Sequence, residues 1–388
     1  VPVRTYLEEL CRWPHRGSTT DYERQAAEYI REKMATLGLE SRVEHFVSHT
    51  SFSWVYLVIY SGFFVSGWLL WQHPLIGFLV CALMLAFFHG ECSSRWKTLA
   101  SLLPKKPSQN VLGILKNESA RKKVVFIAHY DSSKSGLSFH PSMAGSFRSF
   151  FIVSYALMLV LTAALLIRWF GGTGFLLAVA RVVPTVYMLL PIVLLVHREI
   201  FGQYVQGAAD NASGVAAMLG VAEKLVKQPP KNLEVWFLAT GCEEVNLMGM
   251  AAFMRAHQYE LSQPTTYFIN FDNMGKGSLR YITGEGMLRV YQSAPKLVCI
   301  AEDLAERSYP DVRPYVYRRA TLDALVASSR DYKTISLMGL DAGDSMPHWH
   351  WPTDIIENVD FTLSEKASDF AFDMVSELDR RSAVSGER

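Results

Sequence analysis

Five stretches of this chain carry side chains able to hold a metal or move a proton. They are His129-Tyr130-Asp131, Asp210 within Gly207-Ala208-Ala209-Asp210-Asn211-Ala212-Ser213-Gly214, Glu243-Glu244, Asp272 and His350. Taken singly, none is specific. A lone His-x-Asp is more often structural than metal-binding, and a lone Glu-Glu pair is usually solvated. As an ordered set, with several members directly following apolar runs, they are hard to explain by packing alone. Imidazole and carboxylate donors together suit zinc, and two such ions a few ångströms apart activate a shared water. Asp131 lies two residues from His129, on the same face of an extended strand, where it could hold the second ring nitrogen. Adjacent Glu243 and Glu244 can divide the work, one as ligand and the other as proton carrier.

The elements that must deliver these groups read as an α/β fold. Val124-Val125-Phe126-Ile127-Ala128 is the continuous apolar run of a buried strand leading into His129. Leu233 to Ala239 and Tyr267 to Phe271 read as strands before Glu243 and Asp272. Helical spacing marks an early helix capped by Asp21 and stopped by Gly38, then 215–226, 248–257, 289–307 and 364–378. Alternating strands and helices predict a three-layer α/β/α fold with a mostly parallel mixed sheet. Ligands of such sheets sit beyond the carboxyl ends of the strands, where the acidic and histidine positions fall.

The order HYD, GAADNASG, CEE, INFDNMG and HWHWPTDIIENVD resembles metallopeptidase family 28, the co-catalytic zinc aminopeptidases that include glutamate carboxypeptidase. Arg16-Gly17-Ser18 and the helix that ends near Gly38 are similar to that family's start. The resemblance implies two zinc ions, one held by His129 and Asp272 and the other by Glu244 and His350, with Asp210 between them. It implies Glu243 as general base, Asp131 as the group orienting His129, and a cis peptide at Asp210-Asn211. His350, rather than His348, fits the family spacing to Asp354. One departure is Trp349, where the family often has a tyrosine that donates to the tetrahedral oxyanion, so Trp349 and Tyr332 are the candidate oxyanion donors. The complete ligand set argues against the one-zinc glutaminyl cyclases, which resemble the same fold, and against relatives that lost their ligands.

Composition adds a second theme. Charged residues are 19% and hydrophobic residues 50%, and the net charge of +1 gives no case for nucleic acid. Five cysteines without CxxC spacing argue against a disulfide framework or a thiolate zinc site and favour a reducing compartment. There is no secretory-signal pattern and no initiator Met at the start, which reads as processed or trimmed. From Phe46 to Gly90 there is no Asp, Glu, Lys or Arg, and apolar runs Trp54–Trp71 and Leu75–Phe88 flank a Gln-His-Pro break. Ser149 to Ile167 carries eleven Leu, Ile, Val or Phe residues; at about −0.3 to −0.6 kcal/mol each these favour insertion by roughly 3–6 kcal/mol. A turn at Gly171–Gly174 leads into a return from Phe175 to Val196, which carries Arg181. The expectation is four transmembrane helices in two hairpins, 51–90 and 149–198, inserted in a catalytic domain made of 1–50, 91–148 and 199–388. Arg42, Arg95, Lys97, Arg148 and Arg198 flank the soluble side, so the positive-inside rule places that domain in the cytoplasm.

The second hairpin separates His129 from Asp210 by 81 positions, so its roots are expected near the rim of the site, with the site opening close to lipid. The sequence therefore reads as a membrane-bound zinc aminopeptidase acting on peptides. The alternatives are an amidase or esterase that removes amino acids from aminoacylated lipids, and a non-catalytic membrane scaffold.

Overall fold

A computed structural model describes residues 2–384, which fall into two compact units. The first comprises the chain up to Thr50, Lys105–Lys134, and everything from Tyr204 onward; the second is Ser51–Pro104 with Ser135–Gln203. The division differs from the expected boundaries, because 91–104 and 135–148 belong with the apolar helices. Their local bonding shows why for 91–104: the buried Glu91 carboxylate accepts from Ala100 N–H at 3.2 Å and has Lys97 Nζ 3.8 Å away.

In the first unit the helices are α1 (Val3–Leu10), α2 (Asp21–Thr36), α3 (Ser213–Lys227), α4 (Met248–Ala256), α5 (Pro295–Arg307), α6 (Ala324–Ser328) and α7 (Phe361–Val384). The strands are β1 (Glu40–Ser48), β2 (Lys106–Leu115), β3 (Lys122–His129), β4 (Leu233–Thr240), β5 (Thr266–Asp272), β6 (Ser278–Glu285), β7 (Tyr291–Gln292), β8 (Arg313–Tyr317) and β9 (Lys333–Leu340). They form one mixed sheet in the order β1-β2-β4-β3-β5-β9-β6-β7, with β8 beside β6. The central strands β4, β3, β5 and β9 are parallel. Antiparallel pairs flank them, β1 and β2 on one side and β6 and β7 on the other. The parallel character expected from the sequence is therefore a property of the centre.

Both faces of the sheet are covered, which explains why β3 is apolar without alternation: Val124 and Phe126 join the core under α1, α2, α3 and α7, while Val125 and Ile127 join the core under α4 and α6. Thr20, rather than Asp21, caps α2, its side chain accepting from Glu23 N–H. Asp21 sits in the first turn, where a carboxylate favours the helix dipole.

The second unit contains three helices long and apolar enough to cross a membrane: Pro74–Ser93, Phe147–Trp169 and Phe175–Phe201. The fourth apolar helix, Phe52–Trp68, has 17 residues and spans about 25 Å, short of a hydrocarbon core of about 30 Å. Pro74–Ser93 continues past the apolar run through His89 and Glu91, while the first helix stops at Trp68. Arg181 is accommodated by donating to the Gly67 and Trp68 carbonyls at 2.8 and 3.4 Å, near the end of that shorter helix, with Trp71 beneath its guanidinium at 4.9 Å.

Candidate metal centre

Each candidate ligand leaves the sheet at one end. His129 ends β3, Asp272 ends β5, and Glu243-Glu244 follow the turn after β4. Asp210 lies in a short distorted turn, Ala208–Ala212, that runs into α3, and the Asp210-Asn211 peptide is cis. His350 comes from the loop after β9. All are buried or nearly so, and they converge.

His129 Nε2 lies 3.1 Å from Asp210 Oδ1 and 3.8 Å from Asp272 Oδ2. His350 Nε2 lies 3.3 Å from Asp210 Oδ2 and 3.0 Å from Glu244 Oε1. The donor atoms of His129, Asp210 and Asp272 lie within 4.8 Å of one another, and so do those of Asp210, Glu244 and His350. Asp210 belongs to both groups, one oxygen toward each histidine. Glu243 Oε2 stands 3.9 Å from His129 Nε2.

The electrostatics show what this cluster demands. Burial pushes the Glu243 and Asp272 carboxyls well above the ordinary range, and neighbouring carboxylates push the same way: Glu244, Asp323 and Asp272 on Glu243, Asp210 and Asp323 on Asp272. Burial also disfavours an ionised Asp210, but hydrogen bonds from His129 and His350 outweigh it and hold that carboxyl below its ordinary value. Burial would lower His350; the charges of Glu244 and Asp210 outweigh it and raise the imidazole to about 9. Four acidic groups and two imidazoles in one buried volume favour cations as counter-charge. Glu244 Oε1, buried and 3.0 Å from His350 Nε2, has the environment of a ligand atom. The donor set fits zinc, with one pair of ligands on either side of a shared carboxylate.

Second contacts hold these groups. The Asp131 carboxylate accepts from Ser18 Oγ at 2.6 Å and from the Glu243 and Glu244 amides at 3.0 and 3.2 Å. Its oxygen is 3.6 Å from His129 Nδ1, while its backbone carbonyl is nearer at 3.2 Å. Asp131 thus holds the Glu243-Glu244 turn more directly than it orients His129. Cys242 takes a left-handed backbone (φ 52°), and the buried Glu23 carboxylate secures it by accepting its N–H at 3.1 Å. Burial together with Asp131 raises Glu23 to about 8, against hydrogen bonds from Thr19, Ser108 and Cys242. The Asp354 carboxylate accepts from Ala209 and Asp210 N–H at 2.7 and 3.2 Å, tying the His350 loop to the shared ligand. Asn211 donates to Phe271 O at 2.8 Å and accepts from Asn273 N–H at 3.1 Å, tying the same segment to the end of β5.

One expectation needs correction. Tyr332 precedes β9 at the end where Lys333 pairs with Tyr267, whereas Asp272 pairs with Met338. Six residues of strand, roughly 20 Å, separate those ends, and the Tyr332 hydroxyl donates to Leu261 O at 2.9 Å. Tyr332 therefore does not reach the cluster. Trp349 packs beside His350 with ring centres 4.8 Å apart. Tyr317, at the end of β8, is buried and its hydroxyl donates to Met346 Sδ at 3.5 Å; burial, then the carboxylates of Asp272 and Asp210, raise its pKa. Asp323, equally buried, accepts from the Thr240 hydroxyl, and burial raises it to about 6. His348 lies apart, bonded to Thr353 Oγ1 at 2.7 Å and 3.4 Å from Lys276 Nζ.

No curated protein matches the chain. Among solved structures, a Zn-dependent exopeptidase from Parabacteroides distasonis is similar at 15% identity and TM-score 0.54, over 97% of this chain and 96% of that one. BSAP, a zinc aminopeptidase from Bacillus subtilis, is similar at 14% and TM-score 0.56, over 97% and 94%. A glutaminyl cyclase from Bacteroides thetaiotaomicron is similar at 12% and TM-score 0.55, over 96% and 95%. Identities of this size show a shared fold. The model of peptidase family M28 matches residues 191–375, a segment that holds Asp210, Glu243, Glu244, Asp272 and His350. Over that segment the chain is similar to peptidase family M28.

Proposed function

We propose that this chain is a zinc-dependent aminopeptidase with two metals, in which His129, Asp210 and Asp272 hold one ion and Asp210, Glu244 and His350 hold the other. The observation that carries the reading is the position of Asp210, whose two carboxylate oxygens lie 3.1 and 3.3 Å from the Nε2 atoms of His129 and His350. When bound, zinc supplies Lewis acidity, lowering the pKa of water and polarising a scissile carbonyl.

The chain's own groups do the rest. Glu243 has no place in either ligand trio, and its Oε2 takes the proton of the attacking water and returns it to the leaving amine nitrogen. Its reach is set by Asp131, which fixes the Glu243 and Glu244 amides. Tyr317 donates its phenolic proton to the oxygen that gains charge, the role that Tyr332 was expected to fill.

Peptides with a free amino terminus are the substrates this chemistry fits. The three long apolar helices support a multi-pass membrane protein, and the flanking Arg and Lys residues favour a cytoplasmic catalytic unit. The test uses the detergent-purified, zinc-loaded chain on an amino-acid anilide, on its N-acetylated form and on an aminoacyl lipid. Cleavage of the free anilide alone, lost by about 10²–10⁴-fold in Glu243→Gln with zinc retained, is expected. Equal activity in Glu243→Gln contradicts the mechanism, and cleavage of the lipid in place of the anilide contradicts the substrate class.

A further inference from the structure

The chain makes an excursion between two of its ligands. It leaves the first unit at Lys134, five residues after His129, and returns at Tyr204, six residues before Asp210, after passing through Ser135–Gln203. Lys134 and Tyr204 meet as an antiparallel bridge. Two chain ends joined by so long a detour have no covalent reason to stay at a fixed separation, yet His129 and Asp210 must remain about 3 Å apart to share an ion. Something inside the first unit has to hold them.

Arg16 occupies that position. It is fully buried, and its guanidinium donates to four backbone carbonyls: Nε to Tyr130 at 2.7 Å, Nη1 to Gln206 at 2.8 Å and Leu10 at 3.3 Å, and Nη2 to Gly207 at 2.7 Å. Tyr130 directly follows His129, and Gly207 opens the turn that presents Asp210. The backbone of Arg16 repeats the connection: its N–H donates to Ser132 Oγ at 2.9 Å, Ser132 Oγ donates to Val205 O at 2.8 Å, and Ser132 N–H donates to Arg16 O at 3.2 Å. The closeness of the join shows at Gly207. Its φ is +70°, and a Cβ there would lie 2.6 Å from Ser132 Cβ and Asp210 O and 3.1 Å from Arg16 Nη2. A planar fork that binds carbonyls of two chain segments at once fixes their spacing in a way a lysine, with one point of charge, cannot.

We propose that Arg16 is a positioning residue that sets the distance between His129 and Asp210 across the excursion, and so retains the ion held by His129, Asp210 and Asp272. This rests on the two-zinc reading. Arg16 lies outside the segment matched by the family model.

The test is zinc release from the full-length chain in detergent, followed with a chromogenic chelator, for wild type, Arg16→Lys, and Phe370→Ala, which loosens the same core away from the site. In Arg16→Lys one of the two ions should leave about 10–100-fold faster, as for other lost outer contacts of metal ligands, and the other within about twofold of wild type. Placed in an Asp272→Ala background, the same change should leave release of the remaining ion unaltered. If Arg16→Lys does not accumulate as folded protein, Ser132→Ala removes only the hydroxyl between Arg16 N–H and Val205 O and should shift the same ion by a smaller factor. Unchanged release in both variants overturns the proposal. So does equal acceleration of both ions, as Phe370→Ala would give, since that marks a merely structural role. A wild type that takes up no zinc defeats the metal reading itself, a result distinct from either.

Discussion

At the scale of single residues, the centre depends on carboxylates that do different work in nearly the same surroundings. Asp210 faces two imidazoles that hold its carboxyl low, burial raises the Glu243 carboxyl against the pull of His129, and Asp131 is occupied by three hydrogen-bond donors. His129, Asp272 and the Glu243-Glu244 pair were legible as candidates because they follow apolar strands. Tyr317 was not, because β8 is five residues long with a mostly exposed, proline-containing pattern that does not read as a strand. Tyr317→Phe removes the hydroxyl, together with its contact to Met346 Sδ, and keeps the ring, so kcat should fall about 10²-fold with KM little changed. An unchanged kcat would assign the oxyanion to another group. Glu23 and Asp354 escaped notice for a related reason: each acts by accepting backbone N–H groups of residues distant in sequence, Cys242 for one and Ala209 and Asp210 for the other.

At the scale of elements, the long strands and helices followed from their patterns, and the misses lay from β9 outward to the second edge of the sheet. The helix expected over 289–307 begins at Pro295, the residues before it being spent on β7. β6, β8 and β9 were not expected. Of these β9 is central, beside β5, and β6 and β8 lie toward the edge; packing rather than propensity makes them strands, since each completes its hydrogen bonds on a neighbour far away in sequence. One cross-element contact carries a pH prediction. His257, just after α4, places Nε2 at 3.0 Å from both Glu44 oxygens on β1, with Glu260 at 3.3 Å on the other nitrogen. Burial lowers the imidazole, but these carboxylates raise it above 6.5, and burial of Glu44 is likewise outweighed so that its carboxyl falls below 4.5. The histidine's stabilising term is whole below its unfolded pKa and disappears as pH rises through its raised folded value. The glutamate's term is present above its unfolded pKa and disappears as pH falls through its depressed one. His257→Gln should therefore lower the apparent Tm by about 2–4 °C near pH 6, with the gap narrowing above neutrality. A gap that widens with pH would contradict the pairing.

At the scale of the whole molecule, five segments spread over more than half the chain meet at one carboxylate, and one part of the apolar unit, Ser135–Gln203, is inserted within that span. The presence of both parts was legible from composition alone; the lengths of the individual helices were not, because a run of apolar residues does not mark where helical hydrogen bonding ends. A reporter placed within Gly171–Gly174 should lie on the non-cytoplasmic side, with a reporter at the C-terminus on the cytoplasmic side; the opposite result reverses the orientation. The convergence on Asp210 is tested by counting metal. Purified from zinc-containing medium, wild type should carry two zinc ions per chain, Asp272→Ala one, and Asp210→Ala fewer than either, because only Asp210 serves both ions. Asp210→Ala holding as much zinc as Asp272→Ala would contradict a shared ligand and with it the two-metal centre.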